Sequence, residues 1–304
     1  MIIALKTSEI TGLNPENNPN KVGLYILRED LIHPIVSGNK WRKLKYNLLA
    51  ARESGESTLL SFGGAYSNHI HALATAAKEY GLKSIGIIRG EEHLPLNPTL
   101  TDAKAMGMEL HYMDRTLYRL KDSLKVFESL KQQFGKFYLL PEGGTNELAI
   151  KGAAEIVENI ENDYDYFCLA CGTGGTTTGI ICGLNGKGEV IGFSVLKGVF
   201  HQQEIKNWLE KIDQGKLNNW QLNSDYHFGG YAKHNEQLIS FINMFSAKYK
   251  IQLDPIYTGK MLYGVYDMIK QGKFPEKARI LAIHTGGLQG IKGFNQRFGE
   301  LINL

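Results

Sequence analysis

Tyr166-Phe-Cys-Leu-Ala-Cys-Gly-Thr-Gly-Gly-Thr-Thr-Thr-Gly179 runs from an apolar segment of strand length straight into a turn of glycine and threonine, and Ile180-Ile-Cys-Gly-Leu184 continues it as a helix. A strand that turns through glycines into a helix is the opening of a βα unit. Such a turn aims unpaired backbone amides and the positive end of a helix dipole at one point, and threonine hydroxyls add donors. Gly172, Thr173, Gly174, Gly175 and Thr176 therefore read as a phosphate cradle. A nucleoside-triphosphate loop needs a lysine beside its last hydroxyl residue and this loop has none, while the dinucleotide spacing G-x-G-x-x-G finds no match in it. A single phosphate monoester fits better than either nucleotide. A plain strand-to-helix connection is the alternative for the loop alone.

Outward from that unit, short β-rich runs at 22–27, 58–62, 84–88, 109–113, 137–140, 190–194 and 279–283 alternate with helical spacing at 40–53, 68–80, 117–134 and 147–160. The alternation predicts an α/β protein with two open, mainly parallel sheets and flanking helices. No low-complexity linker or repeat marks a boundary. The stretch 44–151 nonetheless holds four strand and helix pairs, enough for a small domain inserted in a larger one made of 1–43 and 152–304.

The 304 residues are 43% hydrophobic and 21% charged, which supports real cores and argues against wholesale disorder. Lys and Arg number 34 against 31 Asp and Glu, a net charge of +3, too small and too scattered for a nucleic-acid footprint. Met1-Ile-Ile-Ala-Leu-Lys6 is too short for a signal-peptide core, and no run approaches the roughly 20 apolar residues of a membrane span. A cytoplasmic location is expected, with neither nucleic acid nor membrane as partner. Cys168 and Cys171 stand three apart in a strand, on opposite faces, and read with Cys182 as structural thiols rather than a redox or metal pair.

Two further clusters are dense in polar groups. Ser37-Gly-Asn-Lys-Trp-Arg-Lys43 precedes a helix, so Lys40 sits where the dipole disfavours an ammonium and favours the nucleophilic amine. Alone, Lys40, Arg42, Lys43 and Lys45 would read as a solvated face. Ser61-Phe-Gly-Gly-Ala-Tyr-Ser-Asn-His69 follows a strand, and Ser67 and Asn68 are natural helix caps. His69 and His71 are two apart on a helix, about 200° around it, and make no metal site.

A lysine nucleophile, a monophosphate cradle and a Ser-Asn turn together compose a pyridoxal phosphate site. Arg28-Glu-Asp-Leu31, Ser37-Gly-Asn-Lys-Trp-Arg-Lys-Leu44, Ser67-Asn-His69, Asp254-Pro-Ile-Tyr-Thr-Gly-Lys260 and His284-Thr-Gly-Gly287 resemble, in order, the D-cysteine desulfhydrase and 1-aminocyclopropane-1-carboxylate (ACC) deaminase family. The phosphate loop is more similar to that of cysteine synthases. Both resemblances imply the tryptophan-synthase-β type of fold (fold type II), pyridoxal 5'-phosphate as cofactor, a small amino-acid substrate and a homodimer. They imply that Lys40 carries the cofactor and moves the substrate's α-proton, that Asn68 meets the cofactor's ring hydroxyl, and that Gly172 to Thr176 hold its phosphate. Ser67 would meet the substrate carboxylate, Tyr257 and Tyr231 would pack over substrate and cofactor, and Thr258 and Thr285 would lie near the cofactor ring.

The chain departs from the family at Tyr66, where Gln is usual, at His71, where Arg is usual, and at Ser37, which replaces a Gly. Tyr66 is expected to narrow the substrate pocket, and Glu142 in Pro141-Glu-Gly-Gly-Thr-Asn146 to add negative charge if it faces that pocket. The expected activity is a lyase reaction, β-elimination of D-cysteine to pyruvate, sulfide and ammonia, with ACC deamination as the alternative. A non-catalytic protein that binds pyridoxal phosphate or an amino acid is the reading from another class. A nucleotide-dependent oxidoreductase is disfavoured by the missing fingerprint.

Overall fold

The computed structural model describes residues 7–33, 36, 38–158, 160–198 and 200–304. Ser37 and the apolar N-terminal stretch 1–6 lie outside the described residues. Ten strands appear among them: β1 (Glu9–Leu13), β2 (Gly23–Arg28), β3 (Thr58–Gly63), β4 (Lys83–Arg89), β5 (Glu109–Met113), β6 (Tyr138–Leu140), β7 (Tyr166–Cys171), β8 (Glu189–Ser194), β9 (Trp220–Asn223) and β10 (Arg279–Ile283). The helices are α1 (Asn39–Glu53), α2 (Asn68–Tyr80), α3 (Pro98–Ala105), α4 (Arg115–Tyr118), α5 (Leu124–Phe134), α6 (Glu147–Glu158), α7 (Gly175–Leu184), α8 (Phe200–Lys211), α9 (Glu236–Tyr249), α10 (Thr258–Lys270) and α11 (Gly290–Phe298).

They form two sheets, one of six strands in the order β1-β2-β10-β7-β8-β9 and one of four in the order β5-β4-β3-β6. Every pairing is parallel except β1 with β2. Parallel strands covered by helices on both faces bury both sets of side chains, which is why β7 reads as an unbroken apolar run; Phe167 through Cys171 are all buried. Helices cover both sheets, as expected for an α/β chain.

Helices α3 and α8 to α11 add to the expected ones, and two further features differ. The helical stretch 117–134 is two helices, α4 and α5, because Ser123 caps a new start: its hydroxyl accepts from Val126 N–H. Strands β1 and β9 are additions at the two edges of the larger sheet, where a single neighbour and little burial leave a weak apolar pattern. The four-stranded sheet lies wholly within 58–140, and the limits 43/44 and 151/152 expected for an inserted domain fall inside α1 and α6.

Those helices are locked to their neighbours by glycines. A Cβ at Gly152 of α6 would sit 1.9 Å from the Arg42 carbonyl of α1, and one at Gly179 of α7 would sit 2.5 Å from the Ala153 Cβ of α6. Only the missing side chains let the three backbones approach this closely. The helix carrying Lys40 and the helix opening at the glycine-threonine loop are thereby held in fixed relation through α6.

Candidate active site

A cavity of about 890 Å³ is lined by residues of both sheets and their helices: Lys40 of α1, Ser67 before α2, Thr173 after β7 and Thr285 after β10 among them. It lies beyond the carboxyl ends of the parallel strands, the usual place for a ligand in open α/β sheets.

Lys40 enters it from the first turn of α1. Gly38 has φ +69° and a Cβ there would meet the Thr285 carbonyl oxygen at 2.0 Å, so only glycine lets this segment touch the 285 loop. Asn39 N–H then donates to the same carbonyl at 3.2 Å. Glu29, with no exposed surface, takes Arg42 Nε and Nη2 at 3.0 Å each, while Asp30 takes Arg28 at 2.8 and 2.7 Å. The Arg28–Leu31 motif thus anchors α1 behind Lys40. The Lys40 ammonium donates to Asn39 Oδ1 at 3.1 Å, and burial lowers its pKa to about 8 against the opposing pull of Asp254.

Facing Lys40, α7 opens at Gly174 in the left-handed conformation, with no acidic residue in its first turn. The leading amides of a helix have no carbonyl partner within it, so this end is a ready acceptor site for an anion. Gly172, Thr173, Gly174 and Thr176 line the cavity, while Gly175 packs toward Thr145 instead. Asn39 Nδ2 donates to Thr176 Oγ1 at 2.7 Å, tying the two helix starts together.

Lys43 is the site residue the sequence reading left on a solvated face. It is 2% exposed, lines the cavity, and donates to the Gly143 carbonyl at 2.6 Å and Thr145 Oγ1 at 2.9 Å; Thr145 Oγ1 in turn lies 2.9 Å from Thr173 Oγ1. Burial, then the charge of Lys40, holds its pKa well below the ordinary lysine value. Its spacing of three from Lys40 puts both on one helix face, the signal that could have found it.

Ser67 caps α2, its hydroxyl accepting from Ile70 N–H at 3.3 Å, and both it and Asn68 line the cavity. Asn68 Nδ2 would be 2.8 Å from a Cβ at Gly287, so its amide rests on the loop after β10. Buried His69 also lines the cavity. Ser61 Oγ donates to the Leu140 carbonyl at 2.9 Å, so the 2.8 Å contact to His69 Nε2 is a hydrogen bond given by the ring. Nδ1 is then a bare acceptor, buried without a partner, and burial followed by Lys43 and Lys40 holds the ring neutral. His71 also lines the cavity, its Nε2 3.6 Å from Asp102 Oδ2.

Tyr257 stands over the loop after β7, 3.3 Å from where a Gly172 Cβ would be, and Tyr231 meets it edge-on with ring centroids 6.2 Å apart. Burial raises the Tyr257 phenol well above its ordinary pKa, with Tyr231 and Asp254 adding to the effect. Tyr231 is carried on the 227–233 loop, which buried Lys260 pins by donating to the carbonyls of His227 at 2.9 Å and Gly230 at 2.7 Å.

Thr285 lines the cavity; Thr258 does not. The Thr258 hydroxyl donates to Asp254 Oδ1 at 2.7 Å and accepts from Asp254 N–H at 3.0 Å, so it serves the turn that starts α10 and has no free donor for a ring nitrogen. Asp254 accepts further from the amides of Ile256, Tyr257 and Thr258 at 2.8–2.9 Å. Tyr66 is part of the cavity wall, its ring edge 2.9 Å from the position of a Gly293 Cβ in α11. Glu142 does face the cavity and is held by Lys121 at 3.3 Å.

A buried lysine with a lowered pKa opposite an acid-free helix start, with hydroxyls and a second helix start between them, suits a phosphorylated aldehyde cofactor. The sequence matches the model of the pyridoxal-phosphate dependent enzymes over residues 8–286, and the chain belongs to that family. It is 34% identical over 298 residues to a Pyrococcus abyssi protein provisionally named 1-aminocyclopropane-1-carboxylate deaminase, covering 92% of this chain and 89% of the relative. It is 32% identical over 299 residues to the mitochondrial bifunctional D-cysteine desulfhydrase/1-aminocyclopropane-1-carboxylate deaminase of Arabidopsis thaliana, covering 90% and 74%. The crystal structure of an ACC deaminase homologue superposes with a TM-score of 0.83 at 30% identity, covering 97% of this chain and 94% of that one. The tryptophan-synthase-β-like architecture and the pyridoxal phosphate cofactor follow from that membership.

Proposed function

We propose that the chain is a lyase that eliminates the β-substituent of a small amino acid, with D-cysteine giving pyruvate, sulfide and ammonia. The observation that carries the reading is the placement of Lys40, its amine eased toward neutrality, across one cavity from the acid-free start of α7. The amides of residues 174–177, the Thr173 and Thr176 hydroxyls and Lys43 would hold the cofactor's phosphate, and Asn68 its ring hydroxyl. A bound phosphate would also restore charge to Lys43, since an adjacent anion favours the ammonium. Bound there, pyridoxal phosphate supplies an electron sink for the α-carbon.

The chain's own residues do the rest. The start of α2, with the Ser67 hydroxyl, orients the substrate carboxylate. Lys40 Nζ takes the α-proton. Tyr257 and Tyr231, whose phenols keep their protons, can donate hydrogen bonds to the departing thiolate. Opening the cyclopropane of ACC involves no α-proton and asks for a deeper sink, which a carboxylate at the ring nitrogen provides. With Asp254 committed to its own turn and Thr285 offering a hydroxyl rather than a carboxylate, elimination is favoured.

Purified holoprotein assayed with D-cysteine, L-cysteine, β-chloro-D-alanine, D-serine and ACC is expected to release sulfide and pyruvate from D-cysteine and little 2-oxobutyrate from ACC. Steady 2-oxobutyrate from ACC without sulfide from D-cysteine would reverse the assignment; ligand binding without any keto acid would favour a carrier or sensor. None of the described helices is long and apolar enough to cross a membrane. A cytoplasmic homodimer remains part of the proposal, tested by fractionation and light scattering.

A further inference from the structure

The cavity wall carries charge to which the roles proposed above assign no partner. Arg89, Arg115, Lys233 and Arg297 line it, against Glu91 and Glu142, and Glu142 is already engaged by Lys121. None of the four cations pairs with a carboxylate among the described residues. Arg89 and Arg115 form a group. Arg89 ends β4, and its Nη2 lies 3.6 Å from the Cβ position of Gly64, in the turn that leads to Ser67. Arg115 follows β5, its Nε and Nη2 each 3.7 Å from the Cβ position of Gly90. Gly90 N–H donates to Met113 O at 2.8 Å, so the two arginines are held on adjacent strand ends. The Arg89 guanidinium also lies 5.8 Å over the Tyr118 ring, fixing one of its faces and leaving its donors for the cavity.

Volume points the same way. With Tyr66 in its wall the cavity still measures about 890 Å³, near the upper end of the roughly 300–1,000 Å³ that enclose whole drug-sized ligands. The roles proposed for the cofactor and a three-carbon amino acid assign no partner to Arg89 or Arg115.

We propose that Arg89 and Arg115 form a subsite for a second anion, and that the substrate is an amino acid whose side chain ends in a carboxylate or phosphate. This rests on the lyase reading and extends it. The planar forks of two arginines match the geometry of those anions. The chemistry is unchanged: Lys40 takes the α-proton, the bond from Cβ to the leaving atom breaks, and the departing group carries the anion away. Water then releases pyruvate and ammonia.

The test compares S-carboxymethyl-cysteine with its neutral isostere S-carboxamidomethyl-cysteine, and O-phosphoserine with serine, each in both enantiomers. Holoprotein is mixed in a stopped flow, and the amplitude of the change in cofactor absorbance is read against concentration before product accumulates. In the unmodified protein at least one anionic member is expected to bind about tenfold tighter than its neutral counterpart, the lower range for a charge-assisted hydrogen bond. The preference should fall to about twofold or less in Arg89→Gln/Arg115→Gln, with melting temperature unchanged, and persist in Lys273→Gln. Preference for the carboxylate or for the phosphate identifies the source of the anion. Equal affinities in the unmodified protein, or a preference that survives the double substitution, overturn the subsite while leaving a response to D-cysteine intact. A band that answers no amino acid, D-cysteine included, overturns the lyase reading and the subsite together.

Discussion

At Lys40 two effects act on one ammonium: burial removes water that would solvate the charge, and the Asp254 carboxylate replaces part of what was lost. Burial is the larger, which leaves the pKa at about 8. Below that pH the proton is bound and the amine cannot attack an aldehyde; above it the lone pair is free. An ordinary lysine would reach the same balance only near 10.4. The rate at which apoprotein takes up pyridoxal phosphate, followed by visible absorbance, should therefore climb to about pH 8 and then level off. A rate still rising tenfold per pH unit at pH 9 would show an unperturbed lysine. Lys40→Ala should show neither the absorbance band nor turnover, and a borohydride-fixed label on a different lysine would move the assignment. Lys40 was legible in the sequence because a helix start and the Gly-Asn-Lys match coincide there. Lys43 was not, because a cationic stripe reads as a solvated face until the 143–145 loop is known to cover it.

Among the elements, the segment 227–233 shows how a site residue is held without a regular strand or helix beneath it. Phe228, Gly229, Gly230 and Ala232 all have positive φ, so the loop lacks a repeating hydrogen-bond pattern of its own. Lys260 substitutes for one by holding two of its carbonyls from α10. Because α10 begins beside Tyr257, the same helix places both tyrosines. Lys260→Met keeps the length of the buried stem but removes the donors, and should lower kcat about tenfold with the cofactor band unchanged, a loss of about 1.4 kcal/mol in the transition state. An equal fall in cofactor uptake would mark Lys260 as a general folding residue instead. Tyr231 and Tyr257 were reachable only through the family resemblance, since an edge-on pair joined across 26 positions leaves no local pattern. The βα units were legible because each strand and helix imposes its own period. The break between α4 and α5 was not, because apolar spacing carries across residues 119–123 and only the Ser123 cap marks the restart. Thr258 likewise matched the family motif, yet its hydroxyl is spent on Asp254, a short-range contact that the motif does not distinguish from a cofactor contact.

For the whole molecule, the decisive fact is that the two sheets share one cavity. The cofactor's expected partners come from α1 and α7, packed together through α6, and from the turn before α2 above the smaller sheet. A ligand that touches all of these binds only when both sheets are folded and in register, so its binding free energy adds to the stability of the pair rather than of either alone. At a thousandfold excess over its dissociation constant that contribution is about 4 kcal/mol. Scanning calorimetry should accordingly show holoprotein melting in one transition, several degrees above apoprotein, with the smaller sheet gaining most because the larger has its own extensive core. Lys40→Ala should lose part of the gain, keeping what the phosphate cradle supplies. Two separate transitions in the holoprotein, with only one displaced by cofactor, would mean that the site belongs to a single sheet and that the other merely covers it.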